Sequence, residues 1–426
     1  MQFLNNVYNQ AASEFFFLIV GSILLYAFQL CKKKAFEAKY RYKVKKVIEY
    51  QKRNEEQMKV VVDLGNGDPE FANNHIFVQE STHLGKVQQL FIAMLPEHQE
   101  ALHQKELALG YGEEQLTRFK QDTSFEAPLT ENLSESRKVI QAEIFSSLAA
   151  ETQITNLVEL IEKHRRVVGE KFIQAKDGMI FNGIKYGIFD MRFTRFGHDE
   201  QPGVDIYLFE TDYFTHRVFR SIYQELKQQQ HEMVSANVSN FLQYRAFLTS
   251  FGVNTLLICN GEKGKEVVLT QRSNRVHNNQ TTAMYHITMN EGLSQTDKDP
   301  FGKVSLELCF KRGLLEELGI NERIYNLGLK SCFYDFFLEK NNFELGISSV
   351  FEMGVSFEES IRDLIGRDKS LETDKFFVLP MNRKVIEAFM EKNKANFINH
   401  GRYVLNRVLM REGIFVQEGL KAKKKP

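Results

Sequence analysis

Residues 303–320 read KVSLELCFKRGLLEELGI. Leu306, Phe310, Leu314 and Leu318 recur every four residues with Cys309 beside them. That spacing puts them on one face of an amphipathic helix. Gly319 follows directly and supplies the residue on which such a helix ends. Upstream, NTLLIC (254–259) and EVVLTQRS (266–273) are strand-like runs joined by the turn-forming GEKGK (261–265). MYHITMNEG (284–292) is a further strand-like piece, and the polar loop SQTDKDPFG (294–302) leads into the helix. Downstream, SCFYDFFLE (331–339) and NNFELGISSVFEMGV (341–355) predict an antiparallel hairpin around Asn341-Asn342. DKFFVLP (374–380) is another strand end, and 384–413 reads as one last long helical piece.

Within the helix, Arg312-Gly313-Leu314-Leu315-Glu316-Glu317-Leu318-Gly319-Ile320 resembles the second half of the Nudix box. That pattern runs arginine, glutamate, aliphatic, any residue, two glutamates, any residue, glycine, aliphatic. VVLTQRS resembles the first strand of Nudix domains, and Glu291-Gly292 resembles the turn entering the box loop. The resemblance implies a C-terminal α/β/α sandwich over 245–420 and a reaction in which a nucleoside diphosphate linked to another group is hydrolysed. In such enzymes glutamates on the box helix hold divalent metal, typically Mg2+, which neutralises the pyrophosphate and activates water. Carried onto this chain, Glu316 and Glu317 are the candidate catalytic and metal-holding residues. Arg272, Glu291 and Arg312 are candidate ligand-binding residues, and Arg312 is placed one turn from Glu316 to orient it. Tyr334, Phe336 and Phe337 are aromatic groups of the kind that stack on a base or, equally, fill a Phe-rich core.

The sequence departs from the family pattern in two places. Gly313 stands where the first glutamate of the box core belongs, four before Glu317, so the carboxylate pair on that face is broken. Counting back from Arg312, Val304 and Lys298 occupy the places of the upstream glutamate and glycine, with Glu307 nearby but off register. Glycine inside a helix costs about 1 kcal/mol relative to alanine, and its use here implies a close approach by a ligand or another backbone.

Between 151 and 244 the chain reads as an α+β region. ETQITNLVELIEK (151–163) predicts a helix, GMIFNGIKYGIFDMRFTRFG (178–197) and VDIYLFE (204–210) predict strands, and Asp212 is placed to cap a helix over 213–227. Arg192, Arg195, His216, Arg217 and Arg220 lie here among Phe and Tyr, residue types that suit an anionic, base-bearing ligand or, equally, a basic outer face. Residues 32–150 read as a basic juxtamembrane helix and spacer. Within it GKVQQLFIAML (85–95) and PEHQEALHQKELAL (96–109) look helical, and 123–136 looks like a linker.

At the N-terminus, FFFLIVGSILLYAFQLC (15–31) carries no charge and no proline. At 1.5 Å per residue it spans roughly 25 Å, the short end of a bilayer crossing. The first 30 residues hold no Lys or Arg, and then come Lys32, Lys33, Lys34, Lys39, Arg41, Lys43, Lys45 and Lys46. A cleaved signal peptide has the reverse order. The positive-inside rule places the N-terminus outside and the rest in the cytosol, so residues 1–31 are expected to be a short tail and a single transmembrane helix in a bacterial inner membrane.

The 426 residues carry zero formal net charge, so no global charge argues for nucleic acid. Four well-separated cysteines fit reduced thiols, and the eleven histidines form no HExxH pattern. A transmembrane segment joined to a degenerate Nudix box resembles the transmembrane-Nudix effectors of CBASS antiphage systems, with their SMODS-associated Nudix domains. That resemblance implies a cyclic-nucleotide partner, no cofactor for sensing, and assembly of homo-oligomers that impair the lipid bilayer. The alternative is a membrane-tethered, Mg2+-dependent pyrophosphohydrolase, and a third is a scaffold that binds only protein.

Overall fold

The computed structural model describes residues 135–174, 182–196, 201–236, 240–273 and 281–414, three short strands before them, Leu109, and scattered helical positions between 20 and 45. The chain divides into two compact units, Met1–Val60 and Val61–Pro426. Of the expected membrane span, only Val20 and residues 29–31 are described, all helical; the rest lies outside the described residues. Among the described residues, no helix is long and apolar enough to cross a membrane.

In the second unit the strands are β1 (His75–Phe77), β2 (Phe91–Met94), β3 (Glu106–Leu107), β4 (Ile184–Phe196), β5 (Gln201–Asp212), β6 (Phe251–Gly261), β7 (Gly264–Arg272), β8 (Tyr285–Ile287), β9 (Met289–Gly292), β10 (Gly328–Glu339), β11 (Glu344–Met353) and β12 (Thr373–Pro380). The longer helices are α1 (Glu135–Thr152), α2 (Leu157–Gln174), α3 (Tyr213–Gln228), α4 (Leu306–Leu318), α5 (Arg383–Asn393) and α6 (Asn399–Arg411). Among the described residues, one sheet of eight strands runs β1-β10-β11-β6-β7-β12, with β8 on β7 and β9 on β6. A second sheet is built on β5, which pairs antiparallel with β4 and parallel with β2 and β3.

β6 sits centrally in the large sheet and pairs in parallel with β11. Its first nine residues are all buried, as expected of a strand covered on both faces. β11 shows what covers them. Phe351 meets Phe310 of α4 at 5.8 Å. Gly346 lies on the other parity of this regular strand, against Phe337, whose ring packs on Tyr403 of α6 at 4.8 Å. Side chains alternate along a strand, so α4 and α6 cover opposite faces. The C-terminal part is an α/β/α sandwich. On the α6 face, the fully buried Arg407 and Asp335 form a two-toothed ion pair at 2.6 and 3.0 Å, joined by Arg411 at 3.0 Å.

Several local expectations need correction. Phe91–Met94 and Glu106–Leu107, read as helical, are strands that pair in parallel with β5; apolar runs this short lack a decisive period, and the free edge of β5 determines them. The helix expected over 151–163 is broken: α1 stops at Thr152, Gln153 takes φ 57°, and α2 starts at Leu157. The long C-terminal helix is two helices. Phe397 forms a bridge with Tyr285, and the Ile398 N–H donates to the Tyr285 carbonyl at 2.9 Å, which separates α5 from α6. Asp212 does cap α3, accepting from the Thr215 N–H at 2.7 Å.

Candidate functional site

α4 carries the box residues. Ser305 caps it by accepting from the Leu308 N–H, and Gly319 closes it at φ 78°. Gly313 faces β9: a Cβ there would lie 2.7 Å from Met289 Sδ and 2.8 Å from Glu291 Cβ. The close approach implied by the sequence is therefore made by the strand that carries Glu291.

Arg312 is the hub. It donates to Asp297 twice, at 2.7 and 2.8 Å, to the Gly292 carbonyl at 2.8 Å and to Glu316 at 3.2 Å, and it pairs with Glu291 at 3.0 Å. Burial alone weakens its charge, but the Asp297 hydrogen bonds and the Glu291 carboxylate more than offset this and raise its pKa. Glu316 is thus oriented by Arg312, as expected, and is also held by Arg367 at 2.7 Å. Asp297 was missed by the sequence reading. It belongs to the polar loop 294–302, and nothing in that loop's composition marks it as a buried partner.

Glu317 is buried and accepts from the Asn290 N–H at 3.1 Å. Burial, then the Glu291 and Glu372 carboxylates, push it well above the usual carboxylate range, against the opposing pull of Arg272. Arg272 itself pairs with Glu372. Glu307 pairs on the surface with Lys311 at 2.8 Å. These donors do not fit a divalent ion. Gly313 removes one carboxylate, Glu316 is taken by two guanidiniums, and Glu317 is buried against the Asn290 N–H. Among the described residues, no three His, Cys, Asp or Glu side chains are grouped to hold a metal.

A cavity of about 790 Å³ opens in the second unit, where β4 and α3 meet the large sheet. Lys185, Arg220, Lys227, Arg272 and Lys394 line it, with Glu339 and Glu344 as its carboxylates. Glu344 is held by Arg220 and His216, each at 3.2 Å; burial raises its pKa, but these partners lower it further than burial lifts it. Glu339 accepts from the N–H groups of Asn341 and Asn342, and burial lifts it to about 7. Asn254, 4% exposed, also lines the cavity, and its Oδ1 has no hydrogen-bond partner among the described residues.

Of the sequence candidates, Arg272 lines this cavity, whereas Glu291, Arg312, Glu316 and Glu317 belong to the box cluster. The two are joined at Asn290, whose N–H meets Glu317 and whose side chain meets His400 at 3.2 Å. Arg220 and Phe337 line the cavity. Arg192 pairs with Asp190, Arg217 lies over Tyr213, Tyr334 bonds Glu412 and Phe336 stacks on Phe251. The Arg195 side chain lies outside the described residues.

No family model and no curated protein matches the chain. Solved structures that match part of it include the NUDIX domain of Shewanella oneidensis NrtR complexed with ADP ribose, at 14% identity and TM-score 0.24, covering 38% of this chain and 87% of that one. A bifunctional NMN adenylyltransferase/ADP ribose pyrophosphatase from Francisella tularensis matches at 14% identity and TM-score 0.28, over 47% and 48% of the two chains. A C. elegans Ap4A hydrolase matches at 11% identity and TM-score 0.23, over 38% and 98%. This chain spans about half the length of the Francisella protein. These values carry no argument about activity.

Proposed function

We propose that residues 245–420 are a Nudix-like domain that binds an anionic nucleotide and does not hydrolyse it efficiently. The observation that carries this reading is the pairing of a basic cavity with a box in which Glu316 is engaged by two arginines and Glu317 is buried against the Asn290 N–H. Cations take phosphate charge.

In this reading the apolar run 15–31 anchors the chain in the inner membrane, and the following lysines hold the bulk of it on the cytosolic side. A cyclic nucleotide made during infection fills the cavity. Transmembrane segments then assemble and impair the bilayer, as in a CBASS effector.

The test is thermal melting of the full chain in detergent micelles with cyclic di- and trinucleotides and linear nucleotides, with and without Mg2+, followed by product analysis. A metal-independent rise in Tm with one cyclic nucleotide, recovered uncut, is expected. Mg2+-dependent cleavage that is lost on Glu317→Gln would overturn this reading in favour of the tethered pyrophosphohydrolase.

A further inference from the structure

His286 and His400 meet at the cavity wall, Nε2 to Nε2 at 2.8 Å, with ring centroids 4.7 Å apart. One of these nitrogens must donate and the other accept. His286 Nδ1 lies 3.1 Å from the Ile287 carbonyl, which only accepts, so Nδ1 carries a proton and Nε2 of His286 is bare. His400 Nε2–H then donates to it, which leaves His400 Nδ1 with a lone pair. The same assignment turns the Asn290 side chain so that its oxygen faces His400. Backbone fixes the pair closely, since a Cβ on Gly401 would sit 3.3 Å from His286 Cα.

The surroundings favour the neutral form of both rings. Burial, then His400 and Arg272, lower His286; burial lowers His400 to about 4, with Arg272 and Arg220 assisting and Glu344 opposing. The charged groups facing the cavity are Lys185 from β4, Arg220 and Lys227 from α3, Arg272 from β7, Glu339 and Glu344 from β10 and β11, and Lys394 beyond α5. A phosphate entering this space reverses the field that disfavours an added positive charge.

We propose that His286 and His400 form a proton-accepting subsite, so that a phosphate-bearing ligand enters this cavity together with a proton from solvent. The proton adds to the bare Nδ1 of His400, and the Nε2–H to Nε2 bond is retained. This rests on reading the cavity as an anionic nucleotide site. It adds that the site senses anion and proton jointly, so binding tightens as pH falls.

The experiment is calorimetric titration of the full chain in micelles with cyclic di-AMP, cyclic di-GMP and cyclic tri-AMP. Their phosphodiesters do not titrate near neutral pH, so any proton exchanged belongs to the protein. Two buffers of different ionisation enthalpy give the proton count. Net proton uptake at pH 7 is expected, with Kd rising by up to about tenfold per pH unit between pH 6 and 8. His400→Gln removes the uptake and the slope, and Glu339→Gln tests whether the other group titrating near neutrality is the source instead. Should His400→Gln fail to fold, His400→Asn serves in its place. Binding with no proton uptake overturns the subsite and leaves the cavity reading standing. Uptake that disappears only in Glu339→Gln also overturns it. Failure of all three to bind overturns the cavity reading and this proposal together.

Discussion

Arg312 and Asp297 hold each other through two parallel hydrogen bonds, Nε to Oδ1 at 2.7 Å and Nη2 to Oδ2 at 2.8 Å, and the Asp297 side chain is almost wholly buried. The pair pins the loop before α4 to the helix and fixes the arginine that orients Glu316.

Breaking that pair leaves the guanidinium with Glu291, Glu316 and the Gly292 carbonyl but without its two shortest charge-assisted bonds. Asp297→Asn should therefore cost about 1.5–3 kcal/mol, read as a lower urea midpoint at unchanged m-value. Arg367, whose side chain is 70% exposed, also bonds Glu316. Arg367→Ala should cost less than about 1 kcal/mol. Equal losses for the two variants would refute the hub role of Arg312.

Gly313→Ala gains about 1 kcal/mol of helix propensity, yet it drives a methyl into Met289 and Glu291. Overpacking of this kind costs about 1–3 kcal/mol, so the net change is a lower Tm. Replacing Met289 with Ala in the same chain should recover part of the loss. A Gly313→Ala variant more stable than the parent would contradict the packing described.

Glu339 shifts from an ordinary value of 4.5 to about 7 because it is buried near Glu344. Between those values the folded protein keeps a proton that the unfolded chain has released. Stability from this group is present below pH 4.5, declines as pH rises towards 7 and is gone above it, a span on the order of 3 kcal/mol. Glu339→Gln should flatten the fall in unfolding free energy between pH 5 and pH 8 relative to the parent, measured by urea titration at each pH.

Asp335 is shared by Arg407 and Arg411. Asp335→Asn removes the carboxylate from both guanidiniums, whereas Arg407→Met leaves it Arg411. The aspartate change should lower the melting temperature more than the arginine change does.

Local patterns were legible in the sequence. The four-residue period named α4, GEKGK named the β6–β7 turn, Asn341-Asn342 named the β10–β11 turn, and Asp212 announced α3. Arg312 and Glu316 lie one turn apart on one helix, so their bond could be read from spacing alone. The cavity could not. His286 and His400 are 114 residues apart, and Lys185 and Arg220 reach the large sheet from a separate sheet and helix. Neither residue of the histidine pair sits in a motif; only tertiary packing brings them together. The strands β2 and β3 were misread for a related reason, because their partner β5 lies about a hundred residues further on.

The contact between Gly313 and β9 also bears on how this scaffold can change. A glutamate at 313 is the obvious first move for anyone selecting hydrolysis from it, yet as a lone substitution it collides with Met289 and Glu291 before it can contribute any chemistry. The path to a further carboxylate on this helix face therefore crosses a stability valley. A library that varies positions 289, 291 and 313 together can cross it, whereas substitution at 313 alone will return destabilised chains.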